Sequence, residues 1–210
     1  MTPAVPDVRI VPAREEDAAV VLRLIAALGD YEKLRHEVVA TEEDVRDALF
    51  GPRPLAEVVI AWATPGGSEG PPLRSSAEAG LSASASPRRD LAEAGGARDG
   101  GQPREAVGFA LFFHNFSTFL GRRGLYLEDL FVVPEWRGRG IGKRLLSHLA
   151  KIAVERNCGR MEWAVLDWNA PAIGFYERLG ARIMEDWRIC RLTGDALTGL
   201  AASRFEEERR

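Results

Sequence analysis

Apolar and polar positions along this chain fall into short blocks whose period switches between two and about 3.6 residues. Val8 to Val11 has strand character and is closed by Pro12. From about Glu15 to Leu34 the spacing is helical, with Val21, Leu24, Ile25 and Leu28 forming an apolar stripe and Gly29 marking a kink or fray point. Thr41-Glu42-Glu43-Asp44 has the form of a capping box, opening a short helix through Val45 and Leu49 that Gly51-Pro52 stops. Leu55 to Ala63 reads as a strand, as do Ala106 to His114 and, after a turn through Phe119 to Gly124, the run ending at Val133. Leu145 to Val154 is helical and terminated by Asn157 and Gly159. Arg160 to Leu166 is a further strand. Asn169 and Pro171 open a helix through Phe175, Tyr176 and Leu179 that Gly180 closes, and a last strand is expected around Trp187 to Leu192. The order β-α-α-β-β-β-α-β-α-β describes an α/β fold: a mixed sheet with helices on both faces.

One stretch breaks the pattern. Residues 64–105 are rich in Gly, Pro, Ser and Ala, carry charges of both signs and contain no aromatic residue. Such a segment buries too little apolar surface to offset the entropy of ordering. It is expected to be a disordered insertion between two strands of one domain spanning residues 1–210. The chain is long enough for one well-buried core. Its 46% hydrophobic and 28% charged residues are an ordinary globular balance. The formal net charge of −3 argues against a nucleic-acid partner. Cys158 and Cys190, without metal-type spacing, read as buried free thiols in a reducing compartment. His36, His114 and His148 show no metal spacing with each other or with the cysteines, so no metal site is expected. With no leader-like N-terminus and no run approaching a membrane span, the expectation is a soluble cytoplasmic protein without a membrane partner.

The most informative motif is Arg137-Gly138-Arg139-Gly140-Ile141-Gly142-Lys143, set between a strand and a helix. Glycines there allow close backbone approach, and the helix N-terminus aims unpaired N–H groups at an anion. Arg139 and Lys143 add positive charge. A P-loop is excluded because Lys143 is followed by Arg144 rather than by a hydroxyl residue. A dinucleotide fingerprint is excluded because Gly138-x-Gly140-x-Gly142 has the wrong spacing. The pattern Arg/Gln-x-x-Gly-x-Gly/Ala fits, and it is the pyrophosphate loop of the GNAT family of N-acetyltransferases.

The chain resembles that family over nearly its whole length outside the insertion. Within it, the match is tightest to the diamine (spermidine/spermine) and thialysine N-acetyltransferase group. Three motifs carry it in order: Leu125 to Val132, the glycine loop, and Asp167-Trp168-Asn169-x-Pro171-x-Ile173-x-Phe175-Tyr176 followed by Gly180-Ala181. Upstream, Tyr31-Glu32 stands where the group carries a Tyr-Glu pair. Val11 and Arg14 depart from the usual Arg and capping Thr. The resemblance implies a mixed, mostly antiparallel sheet and acetyl-CoA as acetyl donor. It also implies a small-molecule amine as acceptor and a homodimer, joined through the strand expected at 187–192.

Residue by residue, the resemblance implies that Gly138, Gly140, Ile141, Gly142 and Lys143, with Arg137 and Arg139, hold the pyrophosphate. The backbones of Leu130, Phe131 and Val132 would pair with the pantetheine arm. Tyr176 would donate a proton to the departing thiolate; read from the residues alone it is equally a core tyrosine. Glu128 would bind the amine and act as base, unless it is a structural ion-pair partner. Only one of Glu128 and Asp129 faces the substrate unless a bulge intervenes, because neighbouring strand residues point to opposite faces. Asp129 is open between substrate binding and an ion pair. Tyr31 and Glu32 would hold a distal ammonium, Glu32 being otherwise a solvated helix end. Glu162, Trp163 and Ala164 would line the acceptor channel, with Trp163 alternatively in the core. Asn169 would order its turn and contact CoA, and Arg178 either touches a phosphate or is a plain surface charge. The leading reading is a small-amine N-acetyltransferase. The alternatives are a protein lysine or N-terminal acetyltransferase and a non-catalytic acyl-CoA-binding module.

Overall fold

The computed structural model describes residues 7–64, 98–99 and 102–203. It divides into two compact units, Met1–Ala164 and Val165–Arg210. The first unit is built on a five-stranded sheet of order β1-β2-β5-β6-β7, with β1 Val8–Pro12, β2 Glu57–Ala63, β5 Glu105–Ser117, β6 Arg122–Val132 and β7 Met161–Trp163. The pairs β1/β2, β2/β5 and β5/β6 are antiparallel, and β6/β7 is parallel. The sheet is therefore mixed and mostly antiparallel, as expected. The disordered segment proposed at 64–105 lies largely outside the described residues. Within it, β3 Arg98–Asp99 and β4 Gln102–Pro103 form a separate two-residue ladder.

Helices cover both faces of the sheet. On one face, α1 Ala18–Glu32 and α2 Glu42–Phe50 pack Val20, Val21, Leu24, Leu28, Val45 and Leu49 against Val58, Ile60, Phe109, Phe131 and Val133. Strand residues that alternate with these, such as Val59, Ala110, Phe112 and Leu127, turn to the opposite face. There α3 Ile141–Glu155 buries Ile141, Leu145, Leu149 and Ala153 at helical spacing. The Arg144 guanidinium, in the first turn of α3, donates to the Val8 carbonyl of β1.

Local signals explain most of the boundaries. The Thr41 hydroxyl accepts from Asp44 N–H, and the Asp44 carboxylate accepts from Thr41 N–H at 2.8 Å, so the expected capping box is made. The helix expected to start at Glu15 begins instead with a 3-10 turn, Glu15–Asp17, whose Asp17 carboxylate accepts from Arg14 N–H at 2.8 Å. Gly29 is not a fray point. It lies buried within α1, where a Cβ would stand 2.8 Å from the Val38 side chain, so the glycine serves close packing. Lys33, in the left-handed region at φ 63°, ends the helix.

The strand expected over Arg160–Leu166 is confined to Met161–Trp163. Its ladder ends at Leu127↔Trp163, immediately before a register shift in β6 leaves Glu128 without an opposite residue. The bulge carries β6 away, and β7 loses its partner.

The second unit holds α4 Ala170–Arg178 and α5 Gly194–Ala202. Asn169 caps α4 by accepting from Ala172 N–H, and Gly180 follows at φ 91°, both as expected. The strand expected at Trp187–Leu192 is not formed. The run Trp187-Arg188-Ile189-Cys190-Arg191-Leu192 loses its alternation at Arg191, and a strand forms only where an edge supplies a ladder. Among the described residues none pairs with it, Trp187 and Ile189 are more than 70% exposed, and Cys190 is exposed rather than buried as expected, with Cys158 only partly covered. No described helix is long and apolar enough to cross a membrane.

Candidate active site

The glycine loop connects β6 to α3 through a 3-10 turn, Pro134–Trp136. Gly138 and Gly140 sit at φ 74° and 77°, a region that side chains disfavour, and a Cβ on either would meet nothing within 4 Å. Gly140 is the N-cap of α3 and brings no side-chain cap to the helix. The N–H groups of Ile141, Gly142 and Lys143 are thus the uncapped first-turn donors of a 15-residue helix, beside open space. This fits a pyrophosphate. The guanidinium of Arg139 lies 4.8 Å from the Trp136 ring centroid, and Lys143 is exposed on the first turn of α3.

The strand leading into the loop offers an open edge. Val133 N–H bonds to the Val107 carbonyl of β5, and successive residues of an antiparallel ladder alternate sides. Leu130 and Val132 therefore turn their backbone groups away from β5, toward the edge that β7 has left. Phe131 differs. A Cβ on Gly108 would lie 2.7 Å from the Phe131 oxygen, so that carbonyl points into the β5 ladder. Only Leu130 and Val132 of the expected trio turn their backbone to that edge, and the Val132 carbonyl already accepts from Arg137 Nε at 2.9 Å. Phe131 contributes its ring, buried in the core and 5.6 Å from the Arg137 guanidinium.

The bulge at Glu128 meets the condition on which both acidic residues share a face. Asp129 is opposite Leu111 and Tyr126 opposite Phe113, and Leu111 and Phe113 lie two apart on one strand face. Glu162, opposite Tyr126, faces the same way. Burial raises the Asp129 carboxyl to about 6, with the Glu128 and then the Glu32 carboxylates adding to the effect. Burial likewise raises Glu32. Burial also raises the Tyr126 phenol, with Glu128 and Glu162 contributing. Glu32, from the last turn of α1, thus joins Glu128 and Asp129 in one negative field rather than ending in bulk solvent.

Other expected site residues are placed differently. The Glu162 carboxylate is 2.7 Å from Arg160 Nε and accepts from Asn115 Nδ2 at 3.3 Å, so it is already partnered by protein groups. A Cβ on Gly124 would stand 2.3 Å from Asn115 Oδ1, so the glycine makes room for that arrangement. Trp163 pairs with Leu127 and points to the face opposite Glu162, so the two do not line one wall together. Ala164 is exposed just beyond β7. Tyr31 is found under Arg137, whose guanidinium carbon is 4.2 Å from the ring centroid. Asn115 and Tyr126, beside these carboxylates, were not singled out from the sequence. Cross-strand pairing is what brings them in, and a single strand read alone carries no sign of it.

In the second unit, Asn169 is buried at the start of α4. Tyr176 is buried on that helix, its ring 5.3 Å from that of Phe175. Exposed Arg178 folds back, its Nη1 lying 3.3 Å from where a Cβ on Gly174 would be. Among the described residues no group of His, Cys, Asp and Glu is arranged to hold a metal ion.

The Acetyltransferase (GNAT) family model matches residues 70–181. An L-ornithine N5-acetyltransferase of Arabidopsis thaliana is 36% identical over 198 residues, covering 91% of this chain and 87% of that protein. A thialysine N-epsilon-acetyltransferase of Bos taurus is 33% identical, covering 92% of this chain and 97% of its own. The solved structure of an integron cassette protein from V. cholerae shares the fold at a TM-score of 0.64 and 24% identity, covering 93% of this chain and 98% of that one. The chain belongs to the GNAT acetyltransferase family, whose acetyl donor is acetyl-CoA.

Proposed function

We propose that this protein transfers the acetyl group of acetyl-CoA directly to a primary amine of a small molecule: a diamine, a polyamine or a thialysine-like amino acid. The observation that carries this reading is the gathering of Glu32, from the last turn of α1, with Glu128 and Asp129 of the strand that runs into the glycine loop. A primary amine is a cation at neutral pH, and a cluster of carboxylates attracts it and lowers its desolvation cost. The ornithine and thialysine acetyltransferases, both similar over most of their length, act on amines of this class by their names.

In this reading the loop Gly138 to Lys143 holds the pyrophosphate. The edge of Leu130 and Val132 holds the pantetheine arm, and a backbone N–H there polarises the thioester carbonyl. Donors of that kind contribute roughly 3–4 kcal/mol to lowering a barrier. Glu32 and the exposed Glu128 hold the ammonium. Asp129, whose carboxyl is raised to about 6, accepts its proton. That moves the base from Glu128, the residue implied by the resemblance, to its neighbour. Tyr176, by resemblance, returns a proton to the CoA thiolate. Asn169 and Arg178 contact CoA on the same ground. A cytoplasmic homodimer is part of the reading and rests on the resemblance together with the free cysteines.

The test is release of CoA thiol by the purified protein against a panel of diamines, polyamines, basic amino acids and lysine peptides. Turnover of one or more small amines above all peptides is the expected result. Turnover of peptides alone, or none with any amine, overturns the assignment.

A further inference from the structure

Tyr31 was expected beside the amine, yet its ring meets a residue of the cofactor loop. The Arg137 guanidinium carbon lies 4.2 Å from the Tyr31 centroid and 5.6 Å from the Phe131 centroid, within the range of a cation–π contact. Its Nε donates to the Val132 carbonyl at 2.9 Å. Arg137 N–H closes the preceding 3-10 turn on the Pro134 carbonyl at 3.1 Å. One arginine is thus held by a ring from α1, a ring from β6 and a carbonyl of the strand edge. With Nε engaged, its two terminal nitrogens keep their N–H groups for other acceptors.

The end of α1 is itself firmly set. Lys33 takes the left-handed conformation, and Leu34 N–H bonds back to the Gly29 carbonyl at 2.8 Å. Consecutive residues of that last turn thereby face different chemistry, with Tyr31 under the loop arginine and Glu32 beside Asp129.

We propose that Tyr31 is a positioning residue for acetyl-CoA and not an amine ligand: its ring seats Arg137, and Arg137 fixes the strand edge and the mouth of the glycine loop. This rests on the reading that the loop binds acetyl-CoA. The side chain of Arg137 is largely exposed, so the contact is of the weaker kind, and its loss is worth a factor of about two to five in affinity.

The experiment measures the CoA Kd by calorimetry, and KM for acetyl-CoA and for the best amine, in wild type, Tyr31→Phe and Tyr31→Leu. Tyr31→Phe keeps the ring and should bind CoA like wild type. Tyr31→Leu should raise the CoA Kd and acetyl-CoA KM about two- to fivefold, with amine KM and kcat nearly unchanged. In an Arg137→Gln background the same replacement should have no further effect on CoA, because the partner is gone. If Leu at 31 prevents folding, Tyr31→Met, which keeps bulk without the ring, takes its place with the same expectation. A rise in amine KM with unchanged CoA affinity overturns the proposal and returns Tyr31 to the amine site. So does a loss of CoA affinity as large in the Arg137→Gln background as in wild type. Wild-type protein that binds no CoA removes the underlying function, a result distinct from both.

Discussion

Leu127 and Trp163 are the last paired residues of the β6–β7 ladder, and the next residue on β6, Glu128, is a bulge. One irregularity therefore does two things. It releases the backbone edge of Leu130 and Val132 from a neighbouring strand, and it lets two consecutive carboxylates share a face. In the proposed reading either alone gives half a site: an edge for the cofactor arm without a place for the amine, or the reverse.

The first prediction concerns the pH dependence of catalysis. The profile of kcat/KM reports ionisations of the free enzyme. With Asp129 raised to about 6 and required ionised as base, kcat/KM should fall on the acid side with an apparent pKa near 6. Asp129→Asn should lower kcat/KM on the order of 100-fold and abolish that limb. Glu128→Gln should raise amine KM and leave the limb in place. A limb that survives in Asp129→Asn and disappears in Glu128→Gln assigns the base to Glu128.

The same group affects stability, with a definite sign. The Asp129 carboxyl is raised from 3.8 to about 6, so over that interval the folded chain binds more protons than the unfolded chain. Stability should fall as pH rises from about 4 to about 6 and level off above, by roughly 3 kcal/mol at most from this residue. Asp129→Asn removes the buried charge and should raise the melting temperature at pH 7.5 with little effect at pH 4. Thermal melts of both proteins across pH check this, and a lower melting temperature for the variant at pH 7.5 contradicts it.

Much of this molecule was legible in the sequence where the determinants are local. Thr41 and Asp44 satisfy each other three residues apart, and Asn169 and Gly180 bracket α4, so both helices follow from short-range chemistry. The glycine loop was legible because positive φ at Gly138 and Gly140 is a demand only glycine meets without strain. What sequence missed depends on neighbours. The bulge at Glu128 exists only relative to β5, and the end of β7 only relative to that bulge. Trp187 to Leu192 breaks its alternation at Arg191 and finds no ladder among the described residues. The short helix Gly194–Ala202 was passed over because its two glycines and a threonine weaken the helical pattern, although Asp195 in its first turn was a usable sign. Tyr31 and Arg137 are far apart in the chain, and no periodicity within either segment announces their stacking.

For the loop, Gly140→Asp is the decisive change. It puts a side chain at φ 77°, costing roughly 1–2 kcal/mol, and a negative charge at the α3 N-terminus. CoA affinity by calorimetry should drop tenfold or more, on the order expected when a negative charge is introduced beside a bound anion. Circular dichroism should stay native, because nothing packs against that position. Unchanged affinity would place the cofactor elsewhere.

For the proton donor, Tyr176→Phe removes one hydroxyl and keeps the ring that packs on Phe175. If Tyr176 protonates the leaving thiolate, kcat should fall by a factor on the order of 100, with CoA binding little altered. Equal kcat in the two proteins would reduce Tyr176 to a packing residue.

The bond from Arg144 to the Val8 carbonyl has a practical corollary. It moors the first turn of α3, the helix proposed to receive the pyrophosphate, to β1, and it engages the Arg144 cation there. Trimming the N-terminus into β1, or fusing a bulky tag there, would slacken a tether at the far end of the sequence from the chemistry. The symptom would be weakened acetyl-CoA affinity in a protein whose amine site was never touched.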